Sequence, residues 1–119
     1  MDTNEIANLA RIGGNSLRTW VVGSEELNAR QLLDEAAEYG VTVALCLDLE
    51  PERHGFDYDD EDAVARQLEY ARREVTKYKD HPALLFWIIG NELNHSYTNP
   101  RVFNAINEIS EMIHAVDEN

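Results

Sequence analysis

The residues best suited to chemistry are Asn91 and Glu92, which directly follow the apolar run Leu84-Leu85-Phe86-Trp87-Ile88-Ile89-Gly90. A carboxyl group held at the end of such a strand, partly desolvated beside tryptophan, has its pKa raised by burial. That suits a general acid able to protonate a leaving oxygen, and the neighbouring Asn91 amide suits a hydroxyl group. The plainer alternative is that the pair caps the next turn. Two further polar sets follow apolar stretches: Arg18, Thr19 and Trp20 after one, and Asp48, Glu50, Glu52, Arg53 and His54 after another. Asn94 and His95 extend the third set. Any one of these alone reads as a solvated loop; three strands ending this way point to a site.

The elements that must position these residues alternate between helical and strand periods. Thr3 is placed to cap a short helix carrying Ile6, Leu9, Ala10 and Ile12, closed by Gly13-Gly14. Residues 15–22 read as a strand. Ser24 caps a second helix with Ala29, Leu32, Leu33 and Ala36 at helical spacing and Gly40 at its end. Residues 41–49 form a nearly continuous apolar run, as expected of a parallel strand buried on both faces. Glu50 to Asp62 is an acidic loop, and Asp59 or Asp60 caps a third helix striped by Val64, Leu68, Ala71, Val75 and Tyr78. His81-Pro82 stops that helix. Residues 83–90 are the third strand. Asn99 and Pro100 open a last helix with the stripe Val102, Ile106, Ile109, Ile113 and Val116. The order α-β-α-β-α-β-α implies right-handed crossovers and a parallel sheet, in one domain over residues 1–119.

Composition narrows the function classes. The 119 residues include 23 acidic and 10 basic side chains, for a formal net charge of −13. Nucleic acid and anionic membrane would both repel such a chain. The apolar run from Ala83 to Ile89 is far short of the roughly 20 residues of a membrane span, and the opening Met-Asp-Thr-Asn-Glu does not read as a signal peptide. One cysteine, Cys46, excludes an intrachain disulfide framework and a thiolate zinc cluster. Inside an apolar strand it behaves as a small hydrophobe. His54, His81, His95 and His114 show no metal-ligand spacing, and His81 reads as a helix-end or core residue. Asp57, Asp59 and Glu61 hint at a calcium loop, but Asp62 stands where its glycine belongs and Leu68 where its glutamate does. Neither a metal nor a cofactor is expected.

Taken together, Asn15-Ser16-Leu17-Arg18-Thr19-Trp20, Lys79-Asp80-His81-Pro82-Ala83-Leu84-Leu85 and Trp87-Ile88-Ile89-Gly90-Asn91-Glu92 resemble the catalytic barrel of clan A glycoside hydrolases. The family-2-like members, of β-galactosidase and β-glucuronidase type, are the nearest in style. The resemblance runs through essentially the whole chain, from the helix after the family's first barrel strand to the helix after its fourth. It implies that Glu92 is the general acid/base, that Asn91 holds the sugar 2-hydroxyl, and that Arg18 braces the catalytic carboxylates. In that frame Trp20 is a platform for a sugar ring, and His54 and His95 are candidate sugar contacts.

The departure from the family is the second carboxylate. Retaining glycosidases need two, roughly 5–5.5 Å apart. The family's nucleophile is a glutamate after the seventh strand, whereas this sequence closes at Asp117-Glu118-Asn119, ahead of a fifth strand. The expected fold is therefore a partial (βα)8 barrel of three parallel strands and four helices, since a whole barrel needs roughly 250 residues. Open edges and an uncovered inner face imply association, as a homodimer or with a complementary half-barrel chain. Two functions follow: a glycoside hydrolase segment acting on carbohydrate once its second half is supplied, or a non-catalytic half-barrel that binds carbohydrate or only assembles.

Overall fold

The first helix, α1 (Thr3–Arg11), and the second, α2 (Ala29–Glu38), both end in a glycine of positive φ, Gly13 at +91° and Gly40 at +70°. In each case paired backbone bonds close the helix: Gly14 N to Leu9 O with Gly13 N to Ala10 O, and Val41 N to Ala36 O with Gly40 N to Ala37 O. This is the Schellman arrangement, which only a residue free to enter the left-handed region closes without strain. The computed structural model describes residues 3–19, 29–91, 93–94 and 96–118; the expected Ser24 cap lies outside them. On α2 the expected face holds, with Ala29, Leu32, Leu33 and Ala36 all buried. On α1 it holds for Ile6 but not for Ile12, which is 81% exposed. Ile12 lies beyond the last helical residue, where the chain is already turning into Gly13 and off the helical stripe.

Three strands form one sheet in the order β1 (Ser16–Arg18), β2 (Thr42–Leu47), β3 (Leu84–Ile89). The strands are parallel, with Ser16, Leu17 and Arg18 paired to Thr42, Val43 and Ala44. All three are shorter than the apolar runs suggest. Residues 20–22 of the first run lie outside the described set. At β2 the ladder stops because Leu49 N turns back to Leu47 O at 3.0 Å, although Leu49 itself is buried. At β3 it stops at Gly90, whose φ of +71° is incompatible with an extended strand. β2 is the central strand, buried from Val43 to Leu47. β3 is as apolar as β2 yet leaves Leu85 50% and Phe86 54% exposed.

Helix α3 (Glu61–Tyr78) is capped by Asp60, whose Oδ1 accepts from Asp62 N at 3.1 Å and Ala63 N at 3.2 Å. Glu61 and Asp62 in its first turn complement the positive end of the helix dipole. Its buried line is Gln67, Ala71, Val75 and Tyr78, with Val64 and Leu68 only half-buried. Helix α4 (Arg101–Val116) starts from Asn99, whose Oδ1 accepts from Arg101 N at 3.0 Å. It buries Val102, Ala105, Ile109 and Met112. Ile106, Ile113 and Val116 of the expected stripe flank that line half-buried, because the apolar sector of α4 is wider than its contact face. Helices α3 and α4 pack together, as do α1 and α2.

The chain divides into two compact units, Met1–Cys46 with Asp80–Ile88, and Leu47–Lys79 with Ile89–Asn119. The first holds α1, α2 and most of the sheet; the second holds α3, α4 and the loops leading into them. Among the described residues no helix is long and apolar enough to cross a membrane. Truncating Leu33, which has no exposed surface, to alanine is expected to cost about 2–5 kcal/mol in urea denaturation. Ile12→Ser is expected to change stability by less than about 0.5 kcal/mol in the same measurement.

Candidate functional site

In the first unit, Arg18 is the last residue of β1 and is exposed. Thr19, which the sequence places with it as a strand-end polar residue, has a structural role. It is buried, its amide donates to Ala44 O at 3.0 Å, and its hydroxyl accepts from Cys46 N at 3.0 Å. The side chain thus continues the β1–β2 ladder one step beyond the last paired residue. Trp20 lies outside the described residues. His81 bridges two elements of this unit: Nδ1 accepts from Ala83 N at 3.1 Å and Nε2 lies 2.7 Å from Asp34 Oδ1. With Nδ1 accepting, Nε2 carries the hydrogen and donates to the carboxylate. His81 therefore sets the entry to β3.

In the second unit, the loop after β2 is held by polar contacts to Gln67 of α3 and to Tyr58 of the loop itself. Gln67 Oε1 accepts from Glu50 N at 2.9 Å, and the Tyr58 hydroxyl donates to Glu50 O at 2.5 Å. Both backbone groups of Glu50 are therefore satisfied by buried side chains. Burial, reinforced by the Glu50 and Glu52 carboxylates, pushes the Tyr58 phenol above its ordinary value, against a lowering contribution from Gln67; the phenol stays a donor. A single turn of 3-10 helix follows at Glu52–His54, ending at Gly55 with φ +96°. His54, a candidate sugar contact, is exposed at its end. Glu52 reaches the segment before α4: Oε2 accepts from Thr98 N at 2.8 Å and Asn99 N at 2.9 Å, and Oε1 accepts from the Thr98 hydroxyl. These donors, the Thr98 hydroxyl first, hold the Glu52 carboxyl below the ordinary carboxylate range.

Asn91 follows β3 and is half-buried. Glu92 and His95 lie outside the described residues; their neighbours Leu93 and Asn94 are buried and exposed respectively. A Cβ on Gly90 would come within 2.7 Å of Leu93 Cδ1, so glycine is required there for space as well as for its φ. Ser96 takes a φ of +57°, and Tyr97 stacks edge-on against Phe103 of α4 with centroids 4.9 Å apart.

A cleft of about 360 Å³ in this unit is lined by Asp48, Glu50, Phe56, Arg66, Gln67 and Tyr70, with Ala63. It gathers carboxylate acceptors, one guanidinium and two rings, and brings in Asp48 and Glu50 from the set after β2. Neither Arg18, Asn91 nor His54 lines it. Among the described residues no group of three or more His, Cys, Asp and Glu could hold a metal ion. Sequence reasoning missed Gln67 and the Glu52–Thr98–Asn99 network. Gln67 did leave a signal, being a polar residue three positions after Val64 and four before Ala71 on an apolar stripe. Glu52 left none, because its partners are 46 and 47 residues away.

Residues 29–118 match the family described as "Glycosyl hydrolases family 2, TIM barrel domain". A solved structure titled "Glycoside hydrolase" superposes with a TM-score of 0.66 at 14% sequence identity, covering 100% of this chain and 32% of that one. The chain thus spans about a third of that structure's length. At that identity the likeness concerns the fold: three parallel strands and four helices form a fragment of a TIM barrel, as the sequence pattern implies. Among curated proteins no sequence matches significantly.

The Thr19 contact gives a direct check. Thr19→Val, which removes the hydroxyl that accepts from the buried Cys46 amide, is expected to cost about 1–3 kcal/mol of stability by denaturant unfolding, and Thr19→Ser to restore most of it.

Proposed function

Because the chain belongs to the family 2 glycosyl hydrolases, as part of their TIM barrel domain, we propose that it carries the general acid/base for hydrolysis of an O-glycosidic bond. The observation that supports this most is the Asn91-Glu92 pair standing directly after apolar β3, inside the matched stretch. In this reading Glu92 is the acid/base, Asn91 binds the sugar 2-hydroxyl and Arg18 braces the carboxylates. Trp20, His54 and His95 contact the sugar.

The chemistry runs in two steps. Protonated Glu92 gives its proton to the glycosidic oxygen as a carboxylate nucleophile attacks the anomeric carbon, and the aglycone leaves as an alcohol. Ionised Glu92 then takes a proton from water, whose oxygen attacks the same carbon and frees the nucleophile. Asp48 and Glu50 do not match the family's nucleophile motif. The second carboxylate is therefore assigned to neither of them, but to a part of the barrel outside these three strands. The exposed Leu85 and Phe86 of β3 support association with a second copy or a complementary half-barrel chain. The same exposure also favours a second reading, a half-barrel that assembles and binds carbohydrate without turning it over.

A panel of chromogenic aryl glycosides, assayed beside Glu92→Gln, separates the two. Hydrolysis that falls about 100- to 10,000-fold in the variant is expected for a general acid/base. Full activity in the variant would remove Glu92 from that role, and no activity in either protein would favour the non-catalytic reading. Light scattering is expected to give a mass above that of one chain, and a clean monomer at micromolar concentration would exclude self-association.

A further inference from the structure

The segment between β3 and α4 is fastened at both ends within the second unit. At its start, Gly90 leaves just enough room for buried Leu93. At its end, one carboxylate takes three donors, the Thr98 amide, the Asn99 amide and the Thr98 hydroxyl. That carboxylate sits on a fixed base. Glu52 follows Pro51, which is buried, and Glu50, whose amide and carbonyl are both held by Gln67 and Tyr58. We propose that Glu52 is a positioning residue: its carboxylate latches the Thr98–Asn99 turn to the loop after β2 and so fixes the exit of the segment that opens with Asn91.

The number and kind of bonds argue for a latch rather than an incidental surface contact. Charge-assisted bonds to an ionised carboxylate are about twice as strong as neutral ones. Two of the donors are consecutive backbone amides converging on one oxygen, which fixes backbone as well as side chain. Among the described residues, the other charged or titratable groups on the flanking elements are Arg53 and His54 in the same turn, Asp48, Glu50, Asp57, Tyr58 and Asp60 in the loop, Tyr97 beside Thr98, and Arg101, which pairs with Asp59 at 3.3 Å. None of these supplies an acceptor to Thr98 or Asn99 in its place. As a role in catalysis, the latch rests on the function proposed above, because its purpose is to steady the segment carrying the Asn-Glu pair.

Amide hydrogen exchange on the full chain tests it. Thr98 and Asn99 amides are expected to exchange about tenfold or more faster in Glu52→Ala. Glu52→Gln, which keeps an acceptor oxygen but loses the charge, should recover part of that protection. Because the bonds hold the folded-state pKa of Glu52 down, the latch is complete above the ordinary carboxylate range and is lost as pH falls through the lowered value. Wild-type protection at Thr98 and Asn99 should therefore step down in acid, and the step should be missing in Glu52→Gln. Unchanged exchange in Glu52→Ala, or the same acid step in Glu52→Gln, would overturn the proposal. Should Glu52→Ala fail to fold, Thr98→Val must move the NMR titration of the Glu52 carboxyl up toward its ordinary value, and an unmoved titration overturns it equally. Exchange reads the latch whether or not aryl glycosides are cleaved, so loss of the hydrolase reading and loss of the latch are separate results.

Discussion

Strand β2 is hydrogen-bonded along both edges, and from Val43 to Leu47 it is buried on both faces. Every backbone donor and acceptor in such a strand has to find a partner inside the protein, because water cannot reach it. The surrounding structure meets that demand step by step. The first residues of β2 pair with β1, Thr42 N and its hydroxyl reach Asn15 O, and Val43 N reaches Ala83 O just ahead of β3. Where the short β1 ends, the Thr19 amide and hydroxyl take over. The buried strand thus accounts for a polar residue, Thr19, at a position that otherwise looks like part of a site. It also accounts for Cys46, a small side chain buried within that strand.

Beyond β2 the chain leaves apolar surroundings for a loop that pairs nowhere with a strand, and side chains replace the ladder. Gln67 and Tyr58 satisfy the Glu50 backbone, and Glu52 satisfies amides ahead of α4. Loops at the ends of parallel strands commonly carry function on a rigid scaffold. Here the loop is held by Gln67 of α3 and by its own Tyr58. The same α3 that buries Ala71, Val75 and Tyr78 as core offers Gln67 on that line as a polar anchor.

Strand β3 is where the apolar pattern and the burial part company. Its six residues are all apolar, yet Leu85 and Phe86 are at least half exposed. A parallel sheet is ordinarily covered on both faces. Membership of a TIM barrel family gives this composition its sense: β3 has the pattern of a barrel strand.

The amino-acid sequence alone determined the element order, the parallel α/β class and the resemblance to a glycoside hydrolase barrel. Those depend on short-range periodicity, on glycines such as Gly13 and Gly40 that end helices, and on contiguous strings such as that ending in Asn91-Glu92. Strand ends were less legible, because Leu49 is as apolar and as buried as the residues of β2 and only a backbone turn removes it from the strand. The buried lines of α3 and α4 were legible to within one helical position, since an apolar sector wider than the contact leaves its centre open. Thr19 as a ladder extension and Glu52 as the acceptor for Thr98 and Asn99 came from tertiary structure alone. A hydrogen bond between residues 27 or 46 positions apart leaves no period in a sequence: it exists only once packing has brought its donor and acceptor within reach.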